Sequence, residues 1–592
     1  MFCKAVLKLL LPLLVATAPL LANVPYNVRI LGIDDADIAN TVSGASSLLS
    51  LRDKPPPTMS ALRRRAEGDV ADLVNVMRSF GYYDARIEAH IDGIDGNTVV
   101  ILRVYEGTVY RLRSVQLLAD EAMEETPAFF DYIGAPNLEL VLDEPAKASE
   151  IIYARGQLLR SISKQGYPLA AITDEQVLVD VIDKKVDLIF QVDTGPRALF
   201  GDTEFLGLQS VKPSFIRGKI LWNRHRLFDP RCLEATEEAL LQTQLFEYVN
   251  VHYDDELTSN GELPIIVDLA ESKHRSIGAG VSVTTQQGPG VSGEWEHRNV
   301  AGYGQTFNVA ADIWNRLQHA SMMYRLPDFV CPIQELVWLA ELHNEETTSF
   351  EERSFSLSTI VEAQCTDYTT VSYGVSVKQL HSTKSDNSGD FTLIKLPLMW
   401  RWNTSNNILN PTRGYTAQVK MTPTQQVLRS NLEYLETIFT GTAYKSLDCD
   451  SRYVFAGKVV AGNILGAGRR AIPAPERFYS GSENTLRGYN YMTVSPLNEE
   501  NEPIGGRSIM VLSSEMRIRF RENLGCVAFY EIGNVYEKKW PQLHKKQLQS
   551  IGFGARYYTP VGPLRLDVAF PLNGRRVLDD SFQFYFSIGQ AF

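Results

Sequence analysis

The feature that most constrains this chain is the period-two alternation that begins at Ser276 and returns at the last residues. Ile277, Ala279, Val281 and Val283 alternate with Gly278, Gly280, Ser282 and Thr284, the pattern of a strand whose two faces meet different surroundings. The closing segment is cleaner. Phe582, Phe584, Phe586, Ile588 and Phe592 fall on one face, with Gln590 as the exception, and Ser581, Gln583, Tyr585, Ser587, Gly589 and Ala591 fall on the other. An apolar face opposite a small or polar one is what lipid outside and water inside require of a closed transmembrane antiparallel β-barrel. At 9–11 residues per crossing, about 16 strands use half of the remaining chain and leave long loops. A soluble β-sandwich is the alternative that the same alternation allows.

The rest of the composition narrows the choice. After residue 22 no run of 18 or more apolar residues occurs, so no bilayer-spanning helix is expected. A formal charge of -12 argues against a nucleic-acid partner, which needs a basic face to neutralise phosphates. Residues 1–22 read as a secretory signal peptide: Lys4 and Lys8, an apolar stretch over 9–15, and Leu20-Leu21-Ala22 before Asn23. A membrane anchor is the alternative, weakened by Lys8, Pro12 and Pro19. Cys3 precedes the apolar stretch, and the other five cysteines show no CxxC pair or metal spacing. A Cys331–Cys365 bridge is compatible with the sequence but not fixed by it.

Between residue 23 and about 272 a unit recurs roughly every 80 residues. Each holds a helix ending in an aromatic turn, then two strands with a Gly or acidic stop. In the first, Leu73, Val74, Met77 and Phe80 have helical spacing over 71–80, Gly81 stops the helix, and strands follow over 84–92 and 99–105. In the second, a helix over 151–163 runs into Gly166-Tyr167 and strands over 171–181 and 186–192. In the third, 235–245 reads as helix, Phe246-Glu247-Tyr248 as the turn, and 265–269 as the closing strand. The expected organisation is signal peptide 1–22, α+β repeats over 23–107, 108–196 and 197–272, and a barrel over 273–592. Exposed sheet edges in such repeats suit docking of extended peptides; a rigid spacer is the simpler reading.

Several motifs carry a resemblance. Arg477-Phe478-Tyr479-Ser480-Gly481 followed by Leu486-Arg487-Gly488-Tyr489 resembles the sixth-loop motif of the Omp85 superfamily, and the run from Gly552 to Asp567 resembles that family's C-terminal hairpin. Glu296-His297-Arg298-Asn299 with Gly302 and Gly304 is similar to its early barrel turn, and Asn410-Pro411-Thr412-Arg413-Gly414-Tyr415 to a middle one. A terminal Phe592 resembles the outer-membrane insertion signal, and the three repeats resemble polypeptide-transport-associated (POTRA) domains. Three repeats match the branch that forms the outer-membrane subunit of the translocation and assembly module. Insertases of the family usually carry five, and two-partner secretion transporters carry two plus a plug helix, for which residues 23–26 leave no room.

The resemblance implies an outer-membrane barrel with periplasmic repeats. Its clients would be unfolded β-rich outer-membrane proteins such as autotransporters, and its partner a TamB-like inner-membrane-anchored periplasmic protein contacting the first repeat. It implies that Arg487 lies on an inward-folded loop and meets Glu515 and Glu531 on the wall, the second more often Asp in the family. A lateral seam is expected where the first strand (Ile277, Gly278, Ala279, Gly280, Val281) meets the last (Phe586, Ile588, Gly589). Each strand glycine costs roughly 0.5–1 kcal/mol, which weakens pairing there, although glycines also serve as simple bends. A passive porin or a secretion pore is the alternative. No GxSxG, HExxH or P-loop is present, so no enzyme and no cofactor are expected, and His343 beside Glu345 and Glu346 reads as a polar patch.

Overall fold

The computed structural model describes residues 23–94, 97–120, 130, 135–284, 288–428, 431–560 and 562–592. The signal peptide expected over 1–22 lies outside the described residues. Residues 1–206, 220–238 and 250–267 form one compact unit, and residues 207–219, 239–249 and 268–592 form a second.

Each repeat is a three-stranded sheet whose middle strand is the last in sequence. In the first, Asn97–Tyr105 pairs in parallel with Tyr26–Leu31 and antiparallel with Arg86–Ile94. Helix Met59–Ser79 covers the sheet with Leu62, Ala66, Leu73 and Met77, all buried. It starts twelve residues before the expected 71, because Arg63-Arg64-Arg65 interrupts the apolar rhythm without interrupting the helix. Thr58 caps it by accepting a hydrogen bond from the Ala61 N–H. At its other end Gly81 takes φ +92°, a conformation that ends helices and suits glycine. Helices Ala36–Ala45 and Ser47–Ser50, which no clear spacing announces, precede it. The buried Asp69 accepts from the Ser46 hydroxyl and the Ser47 N–H, so its carboxylate tethers these helices to the long one.

The second repeat follows the same plan with strands Arg111–Ala119, Ala171–Asp180 and Lys185–Asp193 and helix Ala148–Ser163. In the third, strands Leu199–Leu206, Phe246–Tyr253 and Glu262–Glu271 form the sheet, with helix Pro230–Gln242. Phe246-Glu247-Tyr248 begins a strand and is not the turn; Gln244, at φ +58°, makes the turn two residues earlier. Period-two burial starts only at Val249 and Val251, too late in the segment to separate this strand from a helix end.

The strands from Arg275–Thr284 to Gln583–Ile588 close into one antiparallel barrel. Seventeen strand segments are present among the described residues, but Gly389–Lys395 and Leu398–Asn403 share both neighbours, Thr369–Thr383 and Gly414–Val427. They are two halves of one strand broken at Leu396-Pro397, so the wall has sixteen positions. Pro397 has no N–H to give the ladder, while its carbonyl still accepts from the Gly374 N–H at 3.1 Å. Outward alternation is plain in Thr369–Thr383, where Tyr373, Val375 and Val377 are exposed and Ser372, Ser376 and Lys378 point to the lumen. An apolar exterior around a polar interior is the arrangement that lipid stabilises and water does not.

Candidate functional site

Residues 466–507, between strands Tyr453–Leu465 and Ser508–Arg521, fold into the lumen. Phe478, Leu486, Tyr489 and Val494 bury themselves against Tyr434, Ile464, Ile509, Val511, Val535 and Leu548 of the wall, so the loop carries its own core inside the barrel. At the next turn the backbone is left-handed on both sides of one residue: Leu486 has φ +54° and Gly488 φ +91°. For a leucine this conformation costs about 1–3 kcal/mol, and residues held this way mark sites where the surroundings fix a side chain's direction.

The side chain so aimed is Arg487, which is fully buried. Its guanidinium reaches three carboxylates: Glu515 at 2.8 Å, Glu531 at 2.7 Å and Asp567 at 3.0 Å. Glu531 also accepts from the Arg487 backbone N–H and Nε, and the guanidinium lies 3.6 Å above the Phe529 ring. The longer side chain of Glu531 therefore still reaches the arginine. Two more arginines contribute: Arg517 donates to Glu515 at 3.1 Å, and Arg556 pairs with Asp567. Arg565 also approaches Asp567 at 3.7 Å and pairs with Glu483 of the loop at 2.7 Å, so four arginines face four carboxylates, which is how buried charge is tolerated. Beside them, the Gly488 N–H donates to the Tyr585 hydroxyl on the last barrel strand at 3.0 Å.

That last strand is where the wall is weakest. The first strand, Arg275–Thr284, makes ten residue pairs with its neighbour Gly288–His297. With Gln583–Ile588 it makes one, Thr284 opposite Tyr585. Among the described residues, Ile277, Gly278, Ala279, Gly280 and Val281 are therefore paired on one edge only, the edge toward the last strand being without a partner, and Ile277 and Val281 are 83% exposed. Phe586 stands on the outer face, and Ile588 is the last residue of its strand, its side chain lying outside the described residues. Gly589 has φ +95° and turns the chain off the strand's line. The alternation places Phe592 on the face of Phe586, but the chain leaves the strand first, and the Phe592 ring sits 5.5 Å from Arg517 and from Lys458. Alternation alone cannot reveal that a strand stops after Ile588.

Asp567, Phe529, Tyr585, Arg517 and Arg556 complete the cluster although the motifs assign them no role. A signal for some of them exists: Arg565 and Asp567 alternate with the exposed Leu566, and Glu515 and Arg517 with the Met between them. Charges at alternate positions of a lipid-facing strand point into the lumen. Elsewhere on the lumen wall the ligand atoms of His343, Glu345 and Glu352 lie within 4.8 Å of one another. Lys378 already pairs with Glu352 at 2.8 Å, and Tyr491 donates to Glu345 at 2.8 Å, so the group is balanced by protein atoms. Cys331 and Cys365 are not bonded to each other.

A lipid-facing barrel that encloses a charge-anchored loop and follows three small α/β repeats defines a narrow class of outer-membrane proteins. The Omp85 superfamily domain matches residues 299–592, and the chain belongs to that superfamily. It is 22% identical over 553 residues to the outer membrane protein assembly factor BamA of Nitratidesulfovibrio vulgaris, covering 89% of this chain and 68% of that protein. It is 20% identical to BamA of Neisseria meningitidis, covering 88% of this chain and 72% of the relative. In fold it resembles the crystal structure of Haemophilus ducreyi BamA lacking POTRA domains 1–3, with TM-score 0.69 and 17% identity over 80% of this chain and 99% of the other. The barrel is therefore an outer-membrane domain, and the three repeats are POTRA-like in fold.

Proposed function

We propose that the protein assembles or translocates β-rich outer-membrane clients, receiving them on the POTRA repeats and passing them to the lateral seam. The observation that carries this reading is the single residue pair joining the first and last strands beside the buried Arg487 cluster. In lipid an unpaired backbone group costs several kcal/mol, so a nearly unbonded seam favours any incoming strand that supplies the missing bonds. The free edge of Ile277–Val281 is the acceptor, and Phe586, Ile588 and Gly589 form the opposite bank. The two relatives are named as outer membrane protein assembly factors, which supports the same reading. A loop that fills the lumen with its own packed core disfavours a passive pore. Strand exchange forms and breaks no covalent bond, so the mechanism calls on no catalytic group or cofactor.

Three repeats favour the TamA type of role, with autotransporters among the clients and a TamB-like periplasmic partner at the first repeat. Phe592 would serve as an insertion signal before the barrel closes and be withdrawn afterwards. The test is photo-crosslinking from Val281 and Phe586, with Val375 on the far wall as control. Capture of newly made outer-membrane barrels at the first two positions and not at the third is expected. Capture of one dedicated secreted protein, or equal capture at all three, would overturn the reading.

A further inference from the structure

The turned-in segment 589–592 is not loose. The Gly589 N–H donates to the Pro563 carbonyl at 2.8 Å, and the Gln590 side chain donates to Asn410 at 3.0 Å. Arg556 Nε donates to the Gln590 side-chain oxygen at 2.8 Å, while Arg517 Nη2 donates to the Phe592 carbonyl at 2.6 Å and Nη1 to the Pro411 carbonyl at 3.2 Å. These are the two arginines that also hold Asp567 and Glu515, the carboxylates Arg487 reaches. One charged network thus runs from the loop, through two wall carboxylates, to the segment that would otherwise continue the last strand.

Where that strand would go is fixed by the one pair present. Continuing the antiparallel register from Thr284 opposite Tyr585 places Val281 opposite Ile588, Gly278 opposite Ala591 and Ile277 opposite Phe592. The faces agree: Ile277 and Val281 are on the exposed side, as is Phe586, so extension would return Phe592 to the lipid face. The withheld pairing is therefore a competent one.

We propose that Arg517 and Arg556 are positioning residues of the seam, a latch that holds residues 589–592 off the first strand and couples the Arg487 cluster to seam closure. The proposal rests on the seam reading above. Released, the segment zips onto Ile277–Val281 and occupies the edge a client would use. Latched, it leaves that edge open.

A disulfide between Gly278→Cys and Ala591→Cys reports the zipped register, in full-length protein in lipid vesicles with native cysteines replaced by serine. A Cβ at Gly278 meets only Glu294, at 3.7 Å or more, so the site tolerates the substitution. Low disulfide yield is expected in the parent, and about tenfold more with Arg517→Ala or Arg556→Ala, from losing roughly 1.4 kcal/mol of hydrogen bonding to a charged donor. Gln590→Ala, which leaves the arginine cluster whole, should raise the yield too, and Arg517→Lys should keep it low. Heat-dependent gel mobility shows that each barrel remains folded. High yield in the parent, or no rise in any variant, overturns the latch. Client assembly is scored separately: a raised yield with normal assembly supports the latch and overturns the seam's role, whereas an unmoved yield with assembly lost on Arg487→Ala does the reverse.

Discussion

Replacing Arg487 with Ala removes the one cation that touches all three buried carboxylates. Arg517 still holds Glu515 and Arg556 still holds Asp567, but the bonds to Glu531 all come from residue 487, and only the backbone N–H survives. Breaking a buried pair by removing one partner costs about 3–5 kcal/mol, because a charge is left without compensation in a water-poor site. The cost falls on the loop, whose remaining wall contacts are apolar packing, hydrogen bonds and the ion pairs of Glu476 with Lys378 and Lys395 and of Glu483 with Arg565. Cleavage of residues 466–507 by an added protease should therefore accelerate by about two to four orders of magnitude. Adding Glu531→Gln should recover about 2 kcal/mol, since the amide keeps an acceptor for the 487 backbone N–H and removes the orphaned charge. The assay is limited proteolysis of the reconstituted protein, with peptide mapping of the loop. A single variant as resistant as the parent, or a double variant as sensitive as the single one, would refute the reasoning.

Gly488→Ala should loosen the same loop by about 1–3 kcal/mol, because φ +91° is strained for alanine and its Cβ meets Ala569 and Phe570 backbone atoms at 3.3–3.4 Å; loop proteolysis reads it. As a contrast, Gly44→Ala in helix Ala36–Ala45 meets nothing within 4 Å and should stabilise the first repeat by about 0.5–1 kcal/mol, measured by urea unfolding. Tyr585→Phe leaves the buried Gly488 N–H without its acceptor and should cost about 1–3 kcal/mol, again scored by loop cleavage. Burial raises the Glu271 carboxyl, but the Ser210 hydroxyl, the Val211 and Gln209 N–H groups and His274 outweigh it and pull the group down to about 2. The folded state thus binds its proton less readily than the unfolded chain, where the value is about 4.3. The stabilisation is full above that value and fades as the pH falls toward 2, so the Gln209 to Val211 amides should lose hydrogen-exchange protection across that window, and Glu271→Gln should abolish the dependence.

Much of the barrel is legible in alternation, since Tyr373, Val375 and Val377 announce lipid and Ser372 and Ser376 announce a lumen. Local chemistry is weaker where a long-range contact decides. The arginine triplet at 63–65 hides a helix held by four buried side chains on its other face, and Pro397 splits a strand whose halves keep one position in the wall. Arg487 stands out because the leucine before it is held in a left-handed conformation that its packing must sustain, while the glycine after it adopts positive φ freely. Its third carboxylate, Asp567, sits 80 residues away, and what joins them is barrel closure, which no local pattern encodes. The departure at Gly589 is similar: the run of phenylalanines continues in sequence, but Arg517, Arg556 and Asn410 offer the last residues a second set of partners.

The most direct test is to close the seam covalently and ask whether clients still assemble. With Gly278→Cys and Ala591→Cys oxidised in the membrane on the Gln590→Ala background, which releases the last residues, the unpaired edge of the first strand is occupied by the protein's own last residues. New outer-membrane barrels should then fail to appear, and a reductant should restore them. Normal client assembly through a locked seam would contradict strand exchange at this site.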